Sequence, residues 1–264
     1  MPEIPVFRIH SERMQKDKFV AIAEHLGLRG EPMATEEALF LQSKQSALAY
    51  ALPGSRFAGL LFFGDQSQGI AEPVERALSA NNAEAWTNEF LRRFHLGARE
   101  SEDSQVRVSF TMRAIRTDAA TEQGEGGKEV RRSPVKTDVM ADLRVNDRPV
   151  TGPRAKLRLT FKNPQAPVWM HRGLWERLEV FETRRMLTEN EVYRRVSDRI
   201  SPRGSARKSW SMLHVRLAYF AGEFNGGPDL LLPFYFAEVE FRDPKDGART
   251  RQGPRQLLQI PACL

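Results

Sequence analysis

Hydrophobic and polar positions along this 264-residue chain fall into two rhythms, and the switches between them predict most of its elements. Residues 6–9 read as a first strand. The period then lengthens: Phe19, Ile22, Ala23 and Leu26 stand at i, i+3, i+4 and i+7, one apolar stripe of a helix. Ser11 is its candidate cap, and Gly27 sits where a left-handed residue closes a helix. Pro53-Gly54-Ser55 separates the apolar runs 48–52 and 57–63, which predicts a hairpin. Trp86, Phe90, Leu91 and Phe94 mark a second helix with Asn81 or Asn82 as cap.

Beyond residue 105 the period of two dominates. Val106, Val108, Phe110 and Met112 alternate with polar residues, as do Val139, Ala141, Leu143 and Val145, and Leu157, Leu159 and Phe161 after the turn Asn146-Asp147-Arg148-Pro149. The polar, Gly-rich stretch 117–128 predicts a flexible loop. Residues 169–181 read as one strand. Thr188-x-x-Glu191 is a capping box opening a third helix with Val192, Val196 and Ile200 inward. Strands follow at 213–219, 230–241 and 257–260. One-sided alternation is the mark of antiparallel sheet with one packed face. The expected class is therefore α+β: one or two antiparallel sheets with about three helices packed on one face. The helix-then-ribbon order recurs with a 68-residue shift in pattern but not in residue identity. It divides the chain into an N-terminal strand–helix–hairpin unit, 1–68, and a larger antiparallel-sheet unit with two helices, 69–264, or one continuous domain.

Composition narrows the chemistry. Hydrophobic residues make up 41% of the chain and charged residues 28%, enough for a sizeable core. Forty Lys and Arg against 34 Asp and Glu give a formal charge of +6, which favours an acidic partner without selecting one. The single cysteine, Cys263, excludes an internal disulfide and reads as an incidental thiol in a mobile tail. The most apolar stretch, 47–63, is broken by Pro53, Gly54 and Arg56, and no leader pattern stands at the start, so the expected location is cytoplasmic. The five histidines form no HxH or HExxH pair, and no GxSxG or phosphate loop occurs. No catalytic residue, metal or cofactor is assigned.

Three groups of side chains remain as candidates. Basic residues share the polar side of the ribbon and surround the third helix: Arg144, Arg154, Lys156 and Arg158, extended by Lys162, Arg107 and Arg113, and Arg184, Arg185, Arg194 and Arg195, with Arg199, Arg203, Arg207 and Lys208 beyond. Such a face suits an acidic protein surface or, with fewer stacking aromatics than expected, nucleic acid. Trp169 and Trp175 are candidate interface anchors. Glu238 and Glu240 share one side of a strand; with His214 and Tyr235 they would line a pocket in an enzymatic reading. Arg216 opposite them suggests ion pairing instead.

Several stretches together resemble a known family. VFRI followed by a helix and LGL, then DLRVNDRPVTGPRAKLRLTF, then LTENEVYRRVSDRI, then LAYFAGEFNGGPDLLLPFYFAEVEF, are similar in order and spacing to PepSY-like domains and to PepSY-like two-component-system regulatory proteins. The resemblance implies a non-enzymatic regulator that binds partner proteins, and it supplies no catalytic residues. Three readings stay open: a non-catalytic protein-binding or accessory subunit, a small-molecule-binding or enzymatic protein, and a nucleic-acid binder.

Overall fold

The structure of the protein, a computed structural model, describes residues 2–10, 13–36, 38–51, 59–65, 74, 77–97, 106–123, 129–163, 165–173, 177–200, 209–222, 230–242 and 255–263. The apolar run of β1 (Glu3–His10) is followed by α1 (Lys16–His25), whose stripe Phe19, Ile22 and Ala23 is buried. The residue before α1 is Gln15, which makes no side-chain cap bond; the proposed cap Ser11 lies outside the described residues. Gly27 has φ +82°, as the left-handed closing position requires. Four short strands follow, β2 (Met33–Ala34), β3 (Ala38–Gln42), β4 (Ala47–Ala51) and β5 (Gly59–Phe63), each antiparallel to the next. The cap of α2 (Ala80–Arg93) is Ser79, whose hydroxyl accepts from the Asn82 amide, two or three residues earlier than the asparagines suggested.

A long hairpin comes next, β6 (Val108–Gln123) and β7 (Glu129–Val145), joined by residues that lie outside the described set. Stretch 117–123 is thus strand rather than loop, because its backbone pairs with the returning β7 all along its length. Asn146 and Asp147 both have positive φ, the tight turn whose twist matches paired strands, and lead into β8 (Arg148–Thr151). After a 3-10 turn (Pro153–Ala155) come β9 (Leu157–Phe161), β10 (Pro167–Gly173) and β11 (Arg177–Arg185). What the sequence shows as one strand at 169–181 is two, with different neighbours: β10 pairs with β5 and β9, whereas β11 pairs with β1. The capping box holds at α3 (Glu189–Ile200): the Thr188 amide donates to Glu191 at 2.7 Å, and the Glu191 amide to the Thr188 hydroxyl at 3.4 Å. Strands β12 (Ser209–Phe220), β13 (Leu230–Arg242) and β14 (Arg255–Pro261) end the chain.

The α+β expectation is overturned. Among the described residues fourteen strands join one mixed sheet, with three short helices as minor elements, so this part of the chain is mostly β. The strand order is β11-β1-β13-β12-β8-β7-β9-β10-β5-β4-β3-β2, with β14 on β13 and β6 on β7. Nor do the helices share one core. The stripes of α1 and α2 join strand residues such as Leu48, Leu60, Phe62, Leu159 and Met170 in one core, whereas Val192 and Val196 of α3 join Ala237, Val239 and Ile260 in another. Periodicity counts helices but carries no information on which strands lie beneath them.

A thin seam between β8 and β12 divides the sheet into a first lobe, β2 through β8, and a second, β11 through β12, and another thin seam runs inside the second lobe between β1 and β13. The parallel contact of β8 with β12 spans only Val150 with Tyr219 and Thr151 with Phe220, and β1 meets β13 only at Phe7 and Arg8. Strands on either side of residue 68 share this sheet. A third apolar cluster, including Ile4, Phe7, Leu143, Val145 and Tyr219, bridges the seams. The Tyr219 hydroxyl donates to the Pro5 carbonyl at 2.9 Å, and burial pushes its pKa up. Cys263 is buried in that cluster rather than in a loose tail, because pairing of β14 with β13 carries the last residues into a bridge with Met186.

Candidate functional site

Strand register assembles one surface on the first lobe. Residues of one parity on β3, β4, β5, β9 and β10 are buried with α1 and α2. Those of the other parity face away, and register lines them up in rows across the sheet. One row runs Met33, Phe40, Ala49, Leu61, His171, Arg158, Met140, Arg113. The next runs Ala47, Phe63, Trp169, Thr160, Asp138, Ile115. Among the described residues no helix side chain joins these rows. Met33 is 61% exposed, Phe63 44% and Ile115 46%, so the face presents apolar side chains to solvent.

At one end this face deepens into a cleft of about 400 Å³. Arg113, Asp142, Lys156, Arg158, Trp169 and His171 line it, and the backbone of β8 and the 3-10 turn forms its wall at Thr151, Gly152 and Ala155. Gly152 belongs there because a Cβ would meet the Ala221 carbonyl oxygen at 2.6 Å, and its φ of +108° disfavours other residues. The Arg158 guanidinium lies 5.7 Å from the Trp169 ring centre, and the Trp169 and His171 rings meet edge-on at 6.1 Å. Arg158 also donates to Asp138 at 3.2 Å, and Lys136 pairs with the same carboxylate at 3.2 Å. Burial alone would raise the Asp138 pKa; the 2.6 Å hydrogen bond from Thr160, then those from Lys136 and the charge of Arg158, hold it below the ordinary value. Arg113 pairs with Asp142 at 3.6 Å. Lys156 has no ion pair among the described residues. Burial first, then Lys156 and Arg172, depress the His171 pKa, which keeps that ring neutral near pH 7.

The basic residues singled out by sequence do not form one patch. Lys156 and Arg158 line the cleft. Arg144 donates to the Asp147 carbonyl at 3.0 Å. Arg154, expected on the surface, is buried, because the 3-10 turn tucks against β10. Arg184 and Arg185 belong to the second lobe and are satisfied by neighbours: Arg184 donates to Glu182 at 2.6 Å, and Arg185 grips Glu191 with two bonds of 2.9 and 3.0 Å. That grip, reinforced by Thr188, takes the Glu191 pKa down to about 2. Arg194 and Arg195 lie on α3, and Arg203, Arg207, Lys208 and Trp175 lie outside the described residues.

The enzymatic constellation does not assemble. His214 pairs across from Glu238, but Tyr235 has the opposite parity on β13 and joins the apolar cluster of α3, its hydroxyl donating to Leu187 at 3.4 Å. Glu238 and Glu240 are held by Arg255 of β14, at 3.2 and 3.7 Å, and not by Arg216, which lies over Phe236. Among the described residues no three His, Cys, Asp or Glu side chains gather as metal ligands, and no helix is long and apolar enough to cross a membrane.

Sequence reasoning passed over Phe63, Leu61, Phe40 and Met33. The signal was present: ALFLQ, ALAYA and GLLFF are apolar at both parities, as strands apolar on both faces must be. It also passed over Arg172, a fully buried arginine on β10, whose Nε donates to the Leu96 carbonyl at 2.8 Å and whose Nη1 donates to Gly173.

No protein-family model matches the chain, and no curated protein matches it. Among solved structures the chain is similar to an uncharacterized protein from Eubacterium rectale ATCC 33656, with 11% identity over 97% of this chain and 83% of that one and a TM-score of 0.47. These comparisons leave the PepSY-like resemblance untested.

Proposed function

We propose that this chain is a non-catalytic docking protein, a regulatory or accessory subunit that holds a partner protein against the open face of its first lobe. The observation that carries this reading is the uncovered apolar surface of Met33, Phe40, Leu61 and Phe63, running into a cleft rich in cations. Exposed apolar surface of this kind, rimmed by charge, is the usual composition of a protein interface. Trp169 and Arg158, stacked at the junction of the two regions, are of the residue types that anchor interfaces. The reading agrees with the regulatory role that the PepSY-like resemblance implies. Neutralisation of Arg184 and Arg185 by carboxylates of their own lobe weighs against a phosphate-gripping surface.

The test is site-directed photocrosslinking. A benzophenone side chain placed at Phe63, on the open face, is expected to give a discrete adduct with a partner protein in native extract. The same group at Glu89, on the exposed side of α2, is expected to give none. Equal adducts from both positions, or none from Phe63, would overturn the proposal.

A further inference from the structure

We infer that the cleft is a carboxylate-binding subsite, which receives an Asp or Glu side chain of the partner segment while apolar side chains of that segment cover the adjoining strands. This rests on the docking reading and names the chemistry of the group docked.

Charge complementarity supports it first. Of the cleft's charged side chains, Arg113, Lys156 and Arg158 are cations and only Asp142 is an acid. Adding the next shell, Lys136 with Asp138, leaves the same cationic excess. Arg158 and Trp169 are held against each other, so the guanidinium is positioned before anything binds, and little conformational freedom is lost on pairing. His171, neutral and beside Lys156, offers a ring nitrogen for hydrogen bonding without adding to the charge.

The surroundings define the rest of the ligand. From Arg158, register leads through His171, Leu61 and Ala49 to Phe40, four strand spacings or about 19 Å of increasingly apolar surface. In the other direction the neighbouring row of Phe63, Trp169, Thr160 and Asp138 ends at exposed Ile115 on β6. Apolar surface therefore continues past the cations in both directions. A segment laid there passes through the cleft instead of ending in it, which selects an internal acidic side chain over a terminal carboxylate. Phosphate groups suit the cleft less, since the flanking surface would meet a sugar or a charged backbone with apolar side chains.

Two capped heptapeptides test this: acetyl-LFGEGFL-amide and its glutamine counterpart, titrated into the full-length ¹⁵N-labelled protein. The glutamate peptide is expected to shift the amides of Lys156, Arg158 and His171 and the Trp169 indole saturably, and to bind about tenfold more tightly than the glutamine peptide, as a charge-assisted pair requires. Lys156→Glu is expected to abolish that preference with an unchanged melting temperature. Equal affinity of the two peptides, with shifts confined to Phe63, Leu61 and Met33, would overturn the carboxylate subsite and leave the docking face standing. Shifts absent from the whole face would overturn both. A glutamate peptide carrying a free C-terminal carboxylate that bound in preference to its amide through the cleft would overturn the assignment to a side chain.

Discussion

Replacing Arg172 gives the sharpest check on the energetics of the first lobe. The residue is 0% exposed, and no carboxylate among the described residues pairs with it. Burial brings its pKa from 12.5 to about 10, a shift worth about 3 kcal/mol against the charged form at roughly 1.4 kcal/mol per unit. Opposing this are hydrogen bonds to the Leu96 and Gly173 carbonyls and the Phe110 ring 5.7 Å from the guanidinium. Arg172→Met removes the desolvation cost but leaves two buried carbonyls unpaired, at about 1–3 kcal/mol each. These contributions offset each other, so the variant is expected to lie between about 1 kcal/mol more stable and about 3 kcal/mol less stable than the parent. Arg172→Lys keeps a charge in the same place with a more strongly hydrated head and without the fork that reaches both carbonyls. Its cost is bounded near the ~4.6 kcal/mol needed to strip a lysine of its proton at pH 7, with a lost bond in addition. The chemically conservative variant is thus the more damaging one. Urea unfolding followed by circular dichroism measures both. If Arg172→Met proves less stable than Arg172→Lys, a compensating charge must face the guanidinium, and this reasoning fails.

Gly173→Ala is expected to yield little folded protein, because a Cβ there would overlap the Arg154 carbonyl oxygen; soluble yield and melting temperature check it. Asp138→Asn, which leaves Lys136 and Arg158 facing an amide, should cost about 2–4 kcal/mol in urea unfolding, and a loss under 0.5 kcal/mol (roughly the ordinary surface effect) would contradict the buried network. His25 and His171 both have pKa values depressed below 6.5, primarily by burial. The unfolded chain therefore binds more protons than the folded one just below that value. Their contribution is intact above about pH 6.5 and is lost as pH falls through the depressed values, and the double His→Gln variant should flatten the rise in urea midpoint between about pH 5 and 7.

Local chemistry was legible where it is local. The capping box at Thr188 and Glu191 needs only residues three apart, and Gly27 only its place after a stripe; both hold. What failed depends on partners remote in sequence. Stretch 117–123 reads as loop by composition, yet the returning strand fixes it as β6. Residues 169–181 read as one strand by periodicity, yet β10 and β11 belong to different lobes. Each error has the same origin: a pattern along the chain specifies which side chains want burial and leaves open what buries them.

That distinction also separates fold from function on the first lobe. Leu48, Leu60 and Phe62 are spent on packing, and their truncation to Ala would cost several kcal/mol, about 2–5 each. Met33 on β2 and Phe63 on β5, on the opposite face, are 61% and 44% exposed, so packing accounts for them far less. A polar residue at either position should leave the unfolding midpoint nearly unchanged, within about 0.5 kcal/mol, while abolishing the Phe63-directed adduct in extract. If Met33→Ser and Phe63→Ser instead destabilised the protein as much as Phe62→Ala, the open face would be a packed one, and its apolar residues would need no partner to explain them.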